Sequence, residues 1–329
     1  MRFEDFSALE LLGSGSTGKV HRAINRSSGQ VRALKSVPLS HGHILAMEVK
    51  ALSTRCPGMI SLDGILLHED VMYLVLQYMD GGCLEKVVRQ RGAFPEPVAA
   101  ALAFQLLWCL QHLRSAHLLH RDIKPSNVLL DCSGRVRLGD AGLAAFLQNS
   151  AASAHSFVGT CRYMSPERIK HGTYSFPADV WGLGLSLWYA VVGGVPFPDA
   201  NSYVEVIGVV TDSEEIVEIP PEGTPTGTQC AQVNARPLSL SPQFRELILC
   251  CCHKDPLKRL TPDALMLLPV FKIHDIKTVA QAECILKNFL GGPKEGGFSS
   301  IYDESAARKS KARSGGREQK SAQKNLVII

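Results

Sequence analysis

The sequence predicts an α+β fold in two lobes, with a small N-terminal β-sheet lobe that contains one helix and a larger, mainly α-helical lobe. Three observations predict this arrangement. Strand-like apolar runs fill the first eighty residues, Asp80-Gly81-Gly82 is typical of a hinge, and helical periodicity dominates the rest of the chain. With 329 residues, of which 45% are hydrophobic, the chain can bury a large core.

The smaller lobe is predicted over residues 1–79. Its strands are bounded by turns rich in glycine and serine, and one segment between the third and last of these strands has the spacing of a helix. The predicted strands are 6–12, 19–25, 31–37 and 71–77, and the predicted helix is 44–53.

The larger lobe is predicted over residues 80–272. Its longest helix, 95–117, carries apolar residues at helical spacing and a proline near its first turn. Residues 211–237 are rich in Pro, Gly, Thr and Glu, which indicates an inserted surface loop. The remaining predictions are strands at 128–130 and 136–138, helices at 178–192, 202–209, 242–252 and 261–268, a C-terminal helix within 273–290, and a disordered basic tail at 291–329.

Composition excludes several classes of function. Residues 308–324 contain seven Lys or Arg and one Glu, so the rest of the chain is close to neutral and we expect no nucleic-acid binding by the folded part. The uncharged run 180–198 contains four glycines and two prolines, which favours a buried helix and a turn over a membrane span. The first residues have no apolar signal core, and the ten cysteines are scattered, so we expect a reduced, cytoplasmic protein.

A glycine-rich turn follows the first strand. Residues 13–20 read GSGSTGKV, and such glycines let a backbone approach phosphates and offer N–H donors. The same spacing occurs in dinucleotide-binding folds, where a helix follows the glycines. A strand follows here, so the sequence favours a flap between two antiparallel strands.

A lysine and a glutamate fit a phosphate-gripping pair. Lys35 lies on the third strand after the small residue Ala33, which would roof an adenine ring, and Glu48 lies on the next helix. Taken alone, each of these two residues would be interpreted as a solvated surface residue. Their position in the sequence before the next motif favours the functional interpretation.

The strongest signal is the segment HRDIKPSN at residues 120–127. Phosphoryl transfer needs a carboxylate near the attacking hydroxyl, a cation near the transferred group and oxygen ligands for Mg²⁺. Asp122, Lys124 and Asn127 supply one of each, and Asp140 adds a second magnesium ligand after a short strand. These residues predict magnesium-assisted phosphoryl transfer to a hydroxyl group.

Over residues 1 to about 272 the chain resembles a eukaryotic protein kinase, because these motifs stand in that family's order. The resemblance implies a five-stranded sheet, ATP and Mg²⁺ as cofactors, Leu76 as gatekeeper, and Asp179 and Arg259 as buried anchors, with Arg259 paired to Glu167 of the Ser165-Pro166-Glu167 segment. The ATP-binding residues it implies are Leu12, Gly13, Ser14, Gly15, Ser16, Thr17, Gly18, Lys19, Val20, Ala33, Lys35, Glu48, Gln77, Met79 and Leu129.

Within that family the chain is similar to MAP kinase kinases. Lys124 and Thr160 resemble the serine/threonine type, and SFVGTCRYMSPERIKHGTYS with HRDIKPSN resembles the dual-specificity MAP kinase kinases. The resemblance implies a MAP kinase as the protein substrate and an upstream activating kinase. Its candidate phosphorylation sites are Ser153, Ser156 and Ser150, and a phosphoserine there would pair with Arg121; serines that only decorate a loop are the alternative.

Two departures keep alternatives open. Asp140-Ala141-Gly142 lacks the family's phenylalanine, a ring expected to pack near His120 and Leu52, so a pseudokinase scaffold is one alternative and a serine/threonine kinase of another pathway is a second. The family usually carries a docking peptide before the first strand, and the few residues before residue 6 are too short for one, so we expect it elsewhere. Basic residues followed by aliphatic residues at the C-terminus resemble such a peptide instead: Lys320, Lys324, Leu326 and Ile328. The basic 308–324 stretch is alternatively a nuclear-import or anionic-membrane patch, which adds the nucleus as a second location.

Overall fold

The computed structural model describes residues 1–15, 18–39, 49, 52–140, 161–172, 175–212, 217–226 and 237–291. Residues 1–292 form one compact unit. In this unit a β-sheet lobe is followed along the chain by a helical lobe. The prediction of an α+β, two-lobed fold is confirmed.

The N-terminal lobe is a five-stranded antiparallel sheet with strand order β1-β2-β3-β5-β4. β1 and β2 form a two-stranded projection with the glycine-rich turn at its tip, and we call β1, β2 and this turn the flap. The strands are β1 (Phe6–Gly15), β2 (Gly18–Asn25), β3 (Val31–Pro38), β4 (Leu62–His68) and β5 (Val71–Gln77). Four of them match predicted strands, whereas β4 was not predicted as an element.

The predicted helix 44–53 lies mostly outside the described residues, in which Val49, Leu52 and Ser53 are helical. Leu52 is buried in the same core as Leu74 and Leu76 of β5. That core continues into the larger lobe, so apolar packing joins the two lobes without interruption.

A small sheet lies under the junction of the lobes. It consists of β6 (Gly82–Cys83), β7 (Val128–Leu130) and β8 (Val136–Leu138). The segment before β4 also reaches this sheet, since Ile60 donates its backbone N–H to Leu138 and Leu138 donates to Gly58. Two stretches of backbone, 58–60 and 77–82, therefore connect the sheet lobe to the helical lobe.

Two buried helices form the centre of the larger lobe. Gly182 on the second of them allows a close approach, because a Cβ there would lie 2.6 Å from the carbonyl oxygen of Ile123. The helices are α1 (Leu84–Arg91), α2 (Glu96–Ser115), α3 (Pro166–His171), α4 (Phe176–Val192), α5 (Tyr203–Asp212), α6 (Pro242–Cys251), α7 (Pro262–Leu265), α8 (Pro269–Ile273) and α9 (Val279–Leu290). The central pair is α2 and α4.

Two predicted segments of the larger lobe differ from the structure. The predicted helix 261–268 is two helices, α7 and α8, because Pro269 cannot continue the hydrogen-bonding pattern of α7 and starts a new first turn. Helix α5 runs to Asp212, so the first residues of the predicted 211–237 insert are helical. In the described part of that insert Val217 and Thr226 are buried, and Trp188 donates its indole N–H to the carbonyl of Glu218.

The C-terminal helix is an integral part of the larger lobe. Thr278 caps α9 in a capping box with Gln281, and a stripe of Ala282, Leu286 and Leu290 is buried. The β7–β8 turn approaches α9 so closely that a Cβ on Gly134 would lie 2.0 Å from the carbonyl oxygen of Glu283. The tail predicted at 291–329 lies, apart from Gly291, outside the described residues.

Candidate active site

Residues 120–127, which we call the HRD loop, bring three predicted side chains together. The Lys124 ammonium lies 2.8 Å from Asp122 Oδ2, and Asn127 Nδ2 donates to the same oxygen at 2.9 Å. Asn127 Nδ2 also donates to the backbone carbonyl of Asp122 at 2.8 Å. Among the described contacts Oδ2 takes both side-chain bonds, which leaves Asp122 Oδ1 to meet an incoming group.

The backbone of the HRD loop is fixed from below by Asp179 of α4. Its two carboxylate oxygens accept the N–H groups of His120 and Arg121, each at 2.8 Å. Burial raises the pKa of Asp179, and the two backbone N–H bonds together with the nearby His120 oppose that rise in part. Arg121 has φ of +73°, a conformation that costs free energy and that these bonds hold in place.

His120 connects the HRD loop to the strand below it. Its Nε2 lies 2.8 Å from the carbonyl oxygen of Gly139, and the Asp122 N–H points to its Nδ1 at 3.4 Å. A carbonyl oxygen only accepts hydrogen bonds, so His120 Nε2 donates in its contact with Gly139. Gly139 immediately precedes Asp140, so His120 helps to set the position of that carboxylate as well.

Lys35 and Asp140 meet across the cleft, although 105 residues separate them in the sequence. Their Nζ and Oδ1 atoms are 2.7 Å apart. The Lys35 side chain is 2% exposed, and the Asp140 side chain is 44% exposed and so open to the cleft. Although the side chain is partly exposed, the protein atoms packed around its carboxyl remove part of its hydration, which acts to raise the pKa of Asp140; the charge and hydrogen bond of Lys35, with the nearby Lys124 and His120, outweigh this and hold the pKa below its ordinary value.

The flap carries the glycine-rich turn to the edge of the cleft. Gly15 pairs with Gly18 at the tip, while Ser16 and Thr17 lie outside the described residues. Gly18 has φ of +156°, and a Cβ there would lie 1.7 Å from the carbonyl oxygen of Ser36. Only glycine fits this approach, which agrees with the idea of a turn that offers bare backbone. Leu12, Ser14, Lys19 and Val20 flank the turn on β1 and β2.

The apolar residues predicted to hold adenine come from the flap, β3, β7 and the end of β5, and they belong to one apolar core or pack against it. Ala33 is buried and pairs in register with the buried Leu76. Met79 is buried after the end of β5, and the N–H of Gln77 donates to the Ser61 carbonyl. Leu129 of β7 is partly buried and lies close to Gly139.

Several predicted residues fall outside the described residues, and their placement stays a prediction. They are Ser16, Thr17, Glu48, Ala141, Ser150, Ser153, Ser156, Lys320, Lys324, Leu326 and Ile328. The predicted pair of Arg259 with Glu167 is confirmed, since two parallel bonds of 2.7 Å join the guanidinium to the carboxylate.

Two positions near the site were not predicted. Lys86 at the start of α1 donates to the carbonyl of Leu12 on the flap, and Arg168 donates to the carbonyl of Arg121 in the HRD loop. No motif marks either residue. Each contact depends on how separate elements are oriented, which spacing along the sequence does not reveal.

The described residues contain no group of three or more His, Cys, Asp or Glu that would form a metal site by themselves. A magnesium ion needs less from the protein, because it keeps waters and phosphate oxygens and takes one or two protein oxygens. Asp140 supplies a carboxylate, and Asn127, whose nitrogen bonds Asp122, keeps its Oδ1 for a cation. This donor set fits magnesium.

None of the described helices is both long enough and apolar enough to cross a membrane.

Comparison with known proteins gives consistent matches. The family model described as protein kinase domain matches residues 6–271. Mitogen-activated protein kinase kinase SIPKK of Nicotiana tabacum is 33% identical over 280 residues, 82% of this chain and 74% of that protein. Mitogen-activated protein kinase kinase 2 of Arabidopsis thaliana is 32% identical over 281 residues, 84% of this chain and 74% of that protein. Dual specificity mitogen-activated protein kinase kinase 1 of Dictyostelium discoideum is 36% identical over 200 residues, 59% of this chain and 30% of that protein.

Proposed function

The chain belongs to the protein kinase family, among that family's MAP kinase kinases, and from this premise we propose that it transfers the γ-phosphoryl group of ATP to hydroxyl groups of a MAP kinase. The observation that carries the proposal is the 2.7 Å contact of Lys35 with Asp140 beside the HRD loop, where the N–H of Gly139 donates to the Asn127 carbonyl and Asn127 bonds Asp122. A lysine, two carboxylates and an amide are the groups that phosphoryl transfer from a magnesium nucleotide requires.

Each side chain has one task in this proposal. Lys35 binds a phosphate oxygen of ATP, and Asp140 with Asn127 holds magnesium, which when bound neutralises phosphate charge. Asp122 Oδ1 accepts a hydrogen bond from the acceptor hydroxyl and takes its proton as the oxygen–phosphorus bond forms and ADP leaves. Lys124, 2.8 Å from Asp122 Oδ2, stabilises negative charge on the transferred group.

The nucleotide would be held by the flap and by apolar residues above and below the base. Leu12, Val20, Ala33, Met79 and Leu129 supply apolar surface, and the backbone of Gly13–Gly18 supplies phosphate contacts. Gln77 ends the strand β5 and Met79 lies two residues beyond it, and the backbone of this stretch would meet the edge of the base.

A MAP kinase is the proposed substrate because the similar proteins are named for phosphorylating MAP kinases. The printed name of the Dictyostelium protein, dual specificity, supports transfer to tyrosine as well as to serine or threonine. An upstream kinase that phosphorylates Ser150, Ser153 or Ser156 is the proposed activator. The segment with Lys320, Lys324, Leu326 and Ile328 is the proposed MAP kinase docking peptide. The proposed location is the cytoplasm, with the nucleus as the second compartment.

Mass spectrometry tests this proposal directly. Purified MAP kinases would be incubated with the protein, ATP and magnesium, and their phosphorylated residues mapped; we expect new phosphate on both the threonine and the tyrosine of their activation loops. The Asp122→Asn protein is the matched control. Phosphorylation that persists in this variant would contradict the assignment of Asp122, and phosphate on threonine or serine alone would favour a kinase of another pathway.

A further inference from the structure

A lysine of the helical lobe forms a hydrogen bond with the flap. Lys86 Nζ donates to the backbone carbonyl oxygen of Leu12 at 3.2 Å, although 74 residues separate the two. Lys86 lies in the first turn of α1, and Leu12 immediately precedes Gly13 of the glycine-rich turn. This bond therefore joins α1 of the helical lobe to the strand that leads into the glycine-rich turn.

The helix that carries Lys86 is firmly seated. Leu84, Val87 and Val88 are buried on one face of α1. At its other end Arg91 donates to the carbonyls of Phe289 and Leu290, at 3.2 and 2.6 Å, and so joins α1 to the end of α9. Lys86 thus extends from a fixed base.

The flap end of the bond is much less enclosed. Gly13 and Ser14 are exposed, and a Cβ on Gly13 would meet no atom within 4 Å. A backbone in this setting gains ordering only from its neighbours along the strand pair and from contacts such as that of Lys86. Fixing one residue's backbone costs roughly 1–2 kcal/mol, and a ligand that must impose this order binds more weakly.

We propose that Lys86 is a positioning residue for the nucleotide, which holds β1 and the entry to the glycine-rich turn over the cleft before the nucleotide arrives. This inference rests on the proposed function, namely that the cleft takes ATP. Lys86 acts through the Leu12 carbonyl and takes no part in phosphoryl transfer. Its loss weakens ATP and ADP alike, because both need the same ordered flap, and leaves the transfer step in place.

Three variants separate this role from the others that a surface lysine could have. Lys86→Met removes the donor and keeps the length of the side chain. Lys86→Arg keeps both the donor and the charge. Arg89→Met removes the same charge from the same helix, at an exposed side chain that pairs with Glu85 at 2.9 Å on α1 itself.

The readouts are the Kd of a fluorescent ADP analogue, the KM for ATP, kcat, the KM for the protein substrate, and Tm. For Lys86→Met we expect the nucleotide Kd and KM to rise about three- to tenfold, as for loss of one charge-assisted hydrogen bond. kcat should stay within about twofold and the protein-substrate KM should not change, while Lys86→Arg and Arg89→Met should match the unmodified protein.

Other results would overturn the proposal. An unchanged nucleotide Kd in Lys86→Met would do so, including when Tm falls, because the bond would then be structural only. An equal rise in Arg89→Met would show a general effect of charge. Failure of the unmodified protein to bind ADP or ATP at all would overturn the proposed function as well, and it is seen before any variant is compared.

Discussion

The HRD loop and the flap are held in very different ways. Several bonds hold the HRD loop: Asp179 accepts two of its backbone N–H groups, His120 reaches the Gly139 carbonyl, and Asn127 bonds Asp122 twice. The flap presents the exposed Gly13 and Ser14 close to its tip and receives one bond from the helical lobe, that of Lys86, among the described contacts.

This difference follows from what the two regions are proposed to do. A group that stabilises charge in a transition state is effective only if it is already oriented, so the HRD loop gains from many mutual restraints. A nucleotide must enter and leave, so the flap gains from few restraints. The following substitutions, given from the largest to the smallest expected effect, would break or sharpen this contrast.

Asp122→Asn should give the largest effect, on the HRD-loop side. It preserves the shape of the side chain but removes the carboxylate that faces the acceptor hydroxyl, so we expect kcat to fall about 10²- to 10⁴-fold with little change in the Kd for ADP. Single-turnover phosphorylation of a MAP kinase with saturating ATP measures this. A fall of less than tenfold would show that Asp122 is not the proton acceptor.

Lys35→Met should have the second-largest effect, and part of this effect should appear in the pH dependence of nucleotide binding. The pKa of Asp140 is now below its ordinary value, so this carboxylate stays charged in neutral and mildly acidic solution and its contribution is lost only as pH falls through that lowered pKa. Without Lys35 the effect of burial is opposed less, and the pKa should rise.

The variant should therefore lose magnesium-nucleotide affinity, and this loss should begin at a higher pH than in the unmodified protein. Turnover should fall about 100-fold at neutral pH. Binding of a fluorescent ADP analogue with magnesium, measured from pH 7 downwards, follows the shift. If nucleotide affinity falls over the same pH range in both proteins, Lys35 does not set the pKa of Asp140.

Gly182→Ala tests the packing under the HRD loop. The new Cβ would lie 2.6 Å from the Ile123 carbonyl, so α4 or the HRD loop must move. We expect a loss of about 1–3 kcal/mol in the free energy of unfolding, and a lower kcat because Asp122 precedes Ile123. Chemical denaturation and steady-state kinetics measure the two effects. A variant with unchanged kcat and unchanged free energy of unfolding would show that α4 or the HRD loop can move at little cost.

Gly13→Ala is the matched substitution in the flap. No atom lies within 4 Å of the new Cβ, so the free energy of unfolding should change by less than about 0.5 kcal/mol. Denaturation under the same conditions as for Gly182→Ala measures the difference between the two glycines. Equal destabilisation by both substitutions would remove the contrast between the regions.

The sequence was informative where the chemistry is carried by local spacing. Asp122, Lys124 and Asn127 lie within six residues, and the strands 71–77, 128–130 and 136–138 have clear apolar runs between turns, so both could be predicted. The pairing of Arg259 with Glu167 was accessible only through the family resemblance, since 92 residues separate the partners.

Other features have no local signal. β4 was missed because Ile65 and Leu67 are exposed and Gly64 interrupts the apolar pattern, so the strand is defined by its pairing with β5. Helix α1 has eight residues and no side-chain cap, which leaves little for a pattern to detect. The bond of Lys86 to Leu12 depends on the angle between the lobes, and that angle follows from the whole core.

The packing of α9 against the larger lobe, of which its close approach to Gly134 is one part, decides where the protein can be shortened for production in bacteria. The protein-kinase-domain match ends at residue 271, and a recombinant chain stopped there would lack Ala282, Leu286 and Leu290. Phe94, which stacks edge-on against Phe289, would then face water together with part of α2. We expect such a shortened protein to precipitate or to associate with chaperones. A protein that extends to Gly291 keeps α9 packed against Phe94 and α2.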